Sequence, residues 1–193
     1  RFPGIDVILS PEMKSTGEVM GIDTSAAMAF LKSQVAAGGS LPESGNVFLS
    51  VRDLAKEEIV PLAQRLIGLG FRIYATSGTS TVLRNHGIQS QALFRISEGR
   101  PNVVDLIEEK NVCWIVNVPG TGATPKIDEI KMRAHAVIRN IPITTTLDGL
   151  RAAVNGLEAM REMKRFEVCS LQEYHRRSPK LRLSLKRTAK AGA

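Results

Sequence analysis

The sequence Arg72-Ile73-Tyr74-Ala75-Thr76-Ser77-Gly78-Thr79-Ser80 decides the fold, because a β-rich apolar run ends there in hydroxyl residues and then becomes helical. Where a strand end faces a helix start, unpaired N–H groups and the positive end of the helix dipole converge. The hydroxyls of Thr76, Ser77 and Thr79 add donors, and Gly78 lets the backbone come close to a ligand. The stretch therefore predicts a phosphate site. A plain N-cap role for Ser77 or Thr79 is the alternative.

Outward from this stretch, strand patterns alternate with helix patterns. Strands are predicted at 46–51, 71–76, 91–94, 112–118 and 142–144. Helices are predicted at 24–37, 55–69, 79–85, 103–110, 127–140 and 147–163. Such alternation with short connections predicts an α/β fold, a Rossmann-like parallel sheet with helices on both faces. Binding sites on these sheets lie at the carboxyl ends of the strands.

Three predicted strand ends carry polar residues. Ser50 ends the first strand and is soon followed by Lys56, Thr76 ends the second, and Asn117 lies near the end of the fourth. A lone lysine at a helix start is usually only a solvated side chain. Because strand ends from different parts of the chain agree, we expect these residues to share one rim.

The composition is typical of a soluble globular protein, with 193 residues and 43% hydrophobic content. The sequence contains no run long enough to span a membrane, and it starts at Arg1 without an initiator Met or a signal pattern, so we expect a piece of a longer chain. Cys113 and Cys169 lie in apolar stretches without metal-ligand spacing. This favours reduced cysteines and a cytoplasmic location over a disulfide.

The net charge of +7 comes from one segment. Residues 176–193 contain seven basic residues and no acidic one, so the rest of the chain sums to zero. We interpret this segment as a disordered, solvated tail, in preference to a nucleic-acid-binding arm. No nucleic-acid or membrane partner is expected for the body of the protein.

Six short strings carry a family resemblance. They are Phe2-Pro3-Gly4-Ile5-Asp6, residues 11–21, Ser50-Val51-Arg52-Asp53, Ala75-Thr76-Ser77-Gly78-Thr79, Glu98-Gly99-Arg100-Pro101 and Thr145-Thr146-Leu147. With them, residues 1 to about 175 resemble the carboxyl-terminal part of the carbamoyl-phosphate synthase large subunit. The resemblance implies three segments: the end of the second ATP-grasp half with a connecting helix (1–44), a methylglyoxal-synthase-like allosteric domain (45–175) and the tail (176–193).

The resemblance also implies what the parent enzyme does. Carbamoyl-phosphate synthase makes carbamoyl phosphate from glutamine or ammonia, bicarbonate and two ATP with Mg or Mn, for arginine and pyrimidine synthesis. The implied partners are the ATP-grasp halves of the large subunit, a small glutamine amidotransferase subunit and further copies in an oligomer. The present chain would hold no cofactor and no catalytic group, and would bind UMP or IMP as an effector.

The family's nucleotide-site residues fall on matching positions of this chain. The expected phosphate- and nucleotide-binding residues are Ser50, Lys56, Thr76, Ser77, Gly78, Thr79, Arg95 and Asn117. Arg95 stands where relatives commonly have lysine. The arginine keeps the positive charge but replaces a compact ammonium donor with a planar guanidinium that can donate two parallel hydrogen bonds. Charge-assisted and backbone hydrogen bonds would hold the phosphate near the helix start.

Two departures from the family pattern bear on the ligand. Val118-Pro119 follows Asn117 where some relatives have hydroxyl residues, which removes a hydroxyl and a backbone donor from the rim. Ile143 replaces the tyrosine that ornithine activation uses in enteric relatives, so we expect a weak ornithine response or none.

Two other functions remain open. A methylglyoxal-synthase-like lyase would need a carboxylate base and a histidine around a triose phosphate, but His86, His135 and His175 lie in or after helical segments and not at a strand end. An oligomerisation domain with a decayed nucleotide site is the other alternative. For the string 98–101 the alternative to a functional role is structural. Glu98 and Arg100 would form a surface ion pair that orders the loop.

Overall fold

Strands and helices alternate along the chain in this computed structural model, which describes residues 19–39, 41–120, 127–163 and 167–177. The strands are β1 (Gly45–Val51), β2 (Phe71–Thr76), β3 (Gln91–Leu93), β4 (Trp114–Val118) and β5 (Ile143–Thr144). The α-helices are α1 (Ala26–Ala36), α2 (Lys56–Gly68), α3 (Ser77–Asn85), α4 (Val103–Glu108), α5 (Ile127–Ile138), α6 (Leu147–Met163) and α7 (Leu171–Arg177). A 3₁₀ turn, Asp53–Ala55, leads into α2.

The five strands form one parallel sheet in the order β3-β2-β1-β4-β5. The central strand β1 pairs Leu49 with Ala75 of β2 and Ser50 with Asn117 of β4. The chain therefore builds the sheet outward from β1 in one direction and then, from β4, in the other. A change of direction of this kind leaves a crevice at the carboxyl ends of the strands. The predicted α/β fold with a parallel sheet is confirmed.

The core has two parts because side chains alternate across each strand. Val47 and Leu49 point to the side covered by α2, α3 and α6, where they pack with Leu66, Leu83 and Leu150. On the other side, Phe48 and Ile115 pack with residues of α4 and α5, including Ile107 and Met132. Helices thus cover both faces of the sheet, and the polar strand ends are left at its edge.

Helix α1 packs against α6. Met28 and Leu31 of α1 are buried, and a Cβ built on Gly156 of α6 would lie 3.1 Å from the carbonyl oxygen of Ala27. The absence of a side chain at Gly156 therefore lets the two helices approach closely. The domain boundary predicted at residue 45 stays a prediction.

A lysine joins α1 to both ends of the described chain. Lys32 Nζ lies 2.7 Å from Asp23 Oδ2, donates to the carbonyl oxygen of Glu167 at 2.7 Å and contacts the Tyr174 hydroxyl at 3.3 Å. Burial alone would raise the pKa of Asp23, but the hydrogen bonds from Lys32 and from the Ser25 backbone lower it below its ordinary value. Burial alone would lower the pKa of Lys32, but the hydrogen bonds with Asp23 and Tyr174 raise it above its ordinary value.

Several element boundaries differ from the predicted ones. Helix α3 begins at Ser77, two residues earlier than predicted, and α4 ends at Glu108 because Lys110 adopts a left-handed backbone conformation with φ 57°. Helix α7 was not predicted, and its last two residues belong to the segment that we interpreted as disordered. The predicted ATP-grasp end with its connecting helix covers residues 1–44, and its first 18 residues, like the rest of the tail, lie outside the described residues. No helix within the described ranges is long and apolar enough to cross a membrane.

Candidate functional site

The carboxyl ends of β1, β2 and β4 border a pocket of about 330 Å³. Of the predicted site residues, five line it: Ser50, Lys56, Thr76, Gly78 and Arg95. The other lining residues come from β1 and the turn before α2, from the loop after β3 and the start of α4, and from the end of β4 and α5. This volume lies within the range of small-molecule sites in proteins.

Lys56, Thr76 and Gly78 form what we call the cationic end of the pocket. A Cβ built on Gly78 would lie only 2.6 Å from Lys56 Nζ, so the ammonium group occupies the space that a side chain would take. Thr76 immediately precedes α3 and its side chain makes no capping hydrogen bond. The first N–H groups of a helix have no partner within the helix. The ammonium group and the helix start together favour an anion at this end.

Thr79 and Ser77 anchor the start of α3 to neighbouring strands. Thr79 is fully buried; its Oγ1 accepts hydrogen bonds from the Val51 N–H at 3.3 Å and from Thr76 Oγ1 at 3.1 Å. Ser77 Oγ donates to the carbonyl oxygen of Leu93 at 3.3 Å. Neither side chain lines the pocket. Their hydroxyls tie the start of α3 to the ends of β1 and β3, and neither residue is the N-cap, which is Thr76.

Asn117 lies behind the pocket and is bound by a buried arginine. Arg133 of α5 is fully buried, and its Nε and Nη2 donate to Asn117 Oδ1 at 3.0 and 2.7 Å. The same Nη2 lies 3.1 Å from Glu129 Oε2, one helical turn earlier. Because both donors meet Oδ1, the NH₂ group of Asn117 faces away from Arg133. The guanidinium thus fixes the amide of Asn117 and one carboxylate of the pocket wall.

An apolar wall continues from the cationic end. It consists of Phe48, Phe94, Ile96, Val103, Val118 and Met132. Phe94 is half exposed, so part of its ring is available to a ligand. Flat aromatic rings of a ligand stack favourably on such a side chain. The pocket can therefore accommodate a ligand with an anionic group at one end and an apolar or aromatic group beside it.

Two carboxylates and two arginines complete the rim. Asp128 and Glu129 at the start of α5 line the pocket, as do Arg52 and Arg95. Asp128 Oδ2 accepts hydrogen bonds from the backbone N–H of Ser97 at 3.0 Å and from its hydroxyl at 2.6 Å. This contact joins the loop after β3 to α5 across the pocket. The acidic side chains can accept hydrogen bonds from hydroxyl groups of a ligand.

Comparison with known proteins relates the chain to one enzyme. The family model of the MGS-like domain matches residues 58–145, from the first turn of α2 to the residue after β5. The large chain of carbamoyl phosphate synthase from Acidobacterium capsulatum is 47% identical over 175 residues, or 91% of this chain and 16% of the relative. The large chain from Myxococcus xanthus is 45% identical over 174 residues, covering 90% of this chain and 16% of the relative.

A shorter relative shows which part of the enzyme is matched. The carboxyl-terminal section of the large chain from Methanopyrus kandleri is 43% identical over 176 residues, or 91% of this chain and 32% of the relative. Over about nine tenths of its length, the chain is therefore similar to part of the carbamoyl phosphate synthase large chain. It spans about one sixth of the length of the first two relatives. The family resemblance read from the six sequence strings is confirmed.

The structure differs from one prediction at the loop 98–101. Arg100 pairs with Asp105, not with Glu98, and Asp105 accepts a hydrogen bond from the Asn102 N–H at 2.8 Å. Asn102 and Asp105 thereby form a capping box at the start of α4. The hydrogen bond from Arg100 lowers the pKa of Asp105. The predicted Glu98–Arg100 pair is wrong because Arg100 pairs with Asp105 at the start of α4, while Glu98 pairs with Arg95.

Sequence reasoning missed several residues that line the pocket or lie directly behind it. Arg133 was not identified, although its spacing of four residues from Glu129 is a readable helical pair. Phe94 and Asp128 were missed because their loop and helix meet the pocket only in the folded chain. The binding roles of all eight predicted residues, including Thr79 and Asn117 behind the pocket wall, stay predictions.

Proposed function

We propose that this chain is a regulatory, non-catalytic part of a carbamoyl phosphate synthase large chain and that its pocket binds a nucleoside monophosphate. The observation that carries the proposal is the position of Lys56 Nζ over Gly78 at the start of α3, next to an apolar wall. The phosphate would occupy the cationic end, since the ammonium group and free helix N–H groups both favour a dianion.

The rest of the nucleotide fits the remainder of the pocket. The base would lie on the apolar wall against Phe94, and the ribose hydroxyls would meet the carboxylates at the start of α5. Arg95 would approach the phosphate or the ribose from the loop after β3. Val118 in the apolar wall reduces the number of hydrogen bonds available to a base, which supports shape and stacking as the main source of base affinity.

The relatives' names supply the wider context of the proposal. We infer that the whole enzyme forms carbamoyl phosphate for arginine and pyrimidine synthesis from glutamine or ammonia, bicarbonate and ATP with a divalent metal. Its further partners would be the ATP-grasp halves and a glutamine amidotransferase subunit, and oligomer contacts through this domain are part of the same proposal. UMP and IMP are the effectors that the resemblance implies. A change in effector occupancy would reach the catalytic halves through the contacts of the chain that precedes β1.

The lyase alternative receives no support from the pocket. Within the described residues, His86 pairs with Glu57 and His135 with Glu108, both on helix surfaces away from the pocket lining. His175 lies in α7, at the far end of the described chain. A proton-transfer site around a triose phosphate would need a histidine at the pocket.

Isothermal titration calorimetry of the chain with UMP, IMP and inorganic phosphate tests the proposal, with Lys56→Ala as the site variant. We expect a nucleotide to bind more tightly than phosphate and Lys56→Ala to weaken both by tenfold or more, since about 1.5–3 kcal/mol is typical of a hydrogen bond to a charged group. Lys131→Ala, on α5 and outside the pocket lining, serves as the matched lysine control. Absence of binding at millimolar nucleotide would favour the oligomerisation alternative.

A further inference from the structure

The lysine of the cationic end already has an anionic partner from the protein. Asp53 Oδ1 lies 2.6 Å from Lys56 Nζ, and both residues line the pocket. The side chain of Lys56 is 19% exposed, whereas that of Asp53 is 92% exposed. The ammonium group is therefore enclosed between Gly78 and the carboxylate, while most of the surface of the Asp53 side chain is exposed.

The local backbone brings this carboxylate to the lysine. Asp53 begins the 3₁₀ turn that leads into α2, and Lys56 is the first residue of α2, so the two side chains are three positions apart on one helical turn. Side chains at this spacing lie next to each other. Because Asp53 contacts Lys56 directly, an anion that binds the ammonium group must compete with this carboxylate.

The charges around the pocket show what this carboxylate does to a ligand. Among the described lining residues, three are basic (Arg52, Lys56, Arg95) and three are acidic (Asp53, Asp128, Glu129), so their formal charges cancel. Glu129 is held by Arg133, and Asp128 by Ser97. Asp53 is the acidic residue that contacts the lysine of the cationic end. Removing its charge would leave the described lining at +1.

We propose that Asp53 is a built-in competitor for Lys56 that sets both the affinity and the charge selectivity of the phosphate site. The proposal rests on the phosphate site proposed above. A ligand anion must displace the carboxylate from Lys56 and then remain near it. A phosphate dianion gains the ammonium group and the helix start together, so it can displace Asp53. A monoanion such as chloride gains less from the site than a dianion does, so Asp53 competes with chloride more effectively than with phosphate.

The competitor is removed by Asp53→Asn, which keeps the shape of the side chain and removes its charge. An exposed ion pair contributes about 0.2–1 kcal/mol, so we expect phosphate and UMP to bind about twofold to fivefold more tightly to the variant. Asp148→Asn is the matched control, because Asp148 is 91% exposed and pairs with Arg151 three positions later on α6, outside the pocket lining. It should bind both ligands as the unaltered chain does.

Charge selectivity gives a second readout in the same calorimetric titrations. Phosphate affinity is measured in sodium chloride and in sodium gluconate at equal ionic strength. We expect the two salts to give the same affinity for the unaltered chain, and chloride to weaken phosphate binding to Asp53→Asn, because the small monoanion then reaches Lys56.

The outcomes separate this inference from the phosphate site itself. Tighter binding to Asp53→Asn together with a new chloride effect supports the competitor. Phosphate binding that depends on Lys56 but is unchanged or weaker in Asp53→Asn overturns the competitor and leaves the phosphate site standing. If neither the unaltered chain nor Asp53→Asn binds phosphate, both proposals are overturned.

Discussion

Gly78 matters because of what fills the space beside it. With a hydrogen atom as its side chain, it admits the Lys56 ammonium group to the start of α3, where a Cβ would come within 2.6 Å of Nζ. Its backbone does not need the left-handed conformation that favours glycine. The residue therefore serves the pocket through close approach and not through its backbone freedom.

Gly78→Ala should accordingly separate binding from folding. The alanine methyl would displace the end of the flexible Lys56 side chain, so we expect phosphate affinity to fall about tenfold, the equivalent of about one charge-assisted hydrogen bond. Thermal stability should stay equal or rise, because alanine is the better helix former. Gly68→Ala in α2, where a Cβ would meet open space, is the control and should leave phosphate affinity unchanged. Equal affinity of Gly78→Ala and the unaltered chain would contradict this account.

Arg133 shows a different use of a charged residue. A guanidinium without any exposed surface is unfavourable unless its donors are satisfied, and Asn117 and Glu129 accept from it here. The side chain joins the end of β4 to the start of α5 directly behind the pocket. It therefore acts on the pocket by positioning those two residues.

Arg133→Met should destabilise the fold. The substitution keeps apolar volume and leaves the Asn117 oxygen without these two donors, so we expect a loss of about 2–4 kcal/mol in the free energy of unfolding, measured by urea denaturation. Arg139→Met, which removes the surface contact to Glu108 beside the same helix, should change that free energy little. A loss at Arg139 as large as at Arg133 would show that burial of the arginine is not the cause.

At the scale of elements, the contact of α1 with α6 decides whether residues before β1 belong to the same packed unit. A side chain at Gly156 would meet the Ala27 carbonyl oxygen at 3.1 Å and the Leu31 Cβ at 3.2 Å. Gly156→Val should therefore force α1 away from α6 and lower the melting temperature, although glycine is itself a poor helix former. The measurement is a thermal melt followed by circular dichroism. A melting temperature equal to or above that of the unaltered chain would contradict close packing of α1.

The Asp23–Lys32 pair predicts how stability depends on pH. The folded pKa of Asp23 is lowered below 3.8, so its contribution is complete above the unfolded value and is lost as pH falls through the folded value. The folded pKa of Lys32 is raised above 10.5. Its contribution is therefore complete below the unfolded value and is lost as pH rises through the folded value. Between these limits the pair stabilises the contacts of α1 with α7.

Asp23→Asn tests the acid side of this window. We expect the variant to be less stable than the unaltered chain by about 1 kcal/mol near neutral pH. The difference should shrink as pH falls below 3.8 and vanish below the lowered folded pKa of Asp23, where the protonated side chain resembles asparagine. Urea unfolding at a series of pH values from neutral to acid measures the difference. A difference that stays constant with pH would mean that the charge of Asp23 is not involved.

For the whole molecule, the sheet and one rim of the pocket could be predicted because parallel strands end at a common edge. Ser50, Lys56, Thr76 and Gly78 follow strand ends, and the topology brings them together whatever the details of packing. The buried hydroxyl of Thr79 could not be predicted, because the direction of a side chain in a first helical turn depends on tertiary contacts.

Two other features of the whole molecule were beyond sequence reasoning for physical reasons. A charged residue in an amphipathic helix is normally exposed, so the sequence pattern gives no sign that Arg133 is buried. Helix α7 is short and none of its residues is buried, so it lacks the apolar periodicity that identifies a helix. In the structure, the Tyr174 contact with Lys32 joins it to α1.

The central claim is that a nucleotide phosphate binds at the junction of β2 and α3. The most direct measurement is mapping of amide chemical-shift changes in the isotope-labelled chain on addition of UMP. The account predicts the largest changes at the amides of Ser77, Gly78 and Thr79, with smaller ones along the loop that contains Phe94, and their loss in Lys56→Ala. Changes confined to α1 and α7, or none at saturating nucleotide, would contradict it.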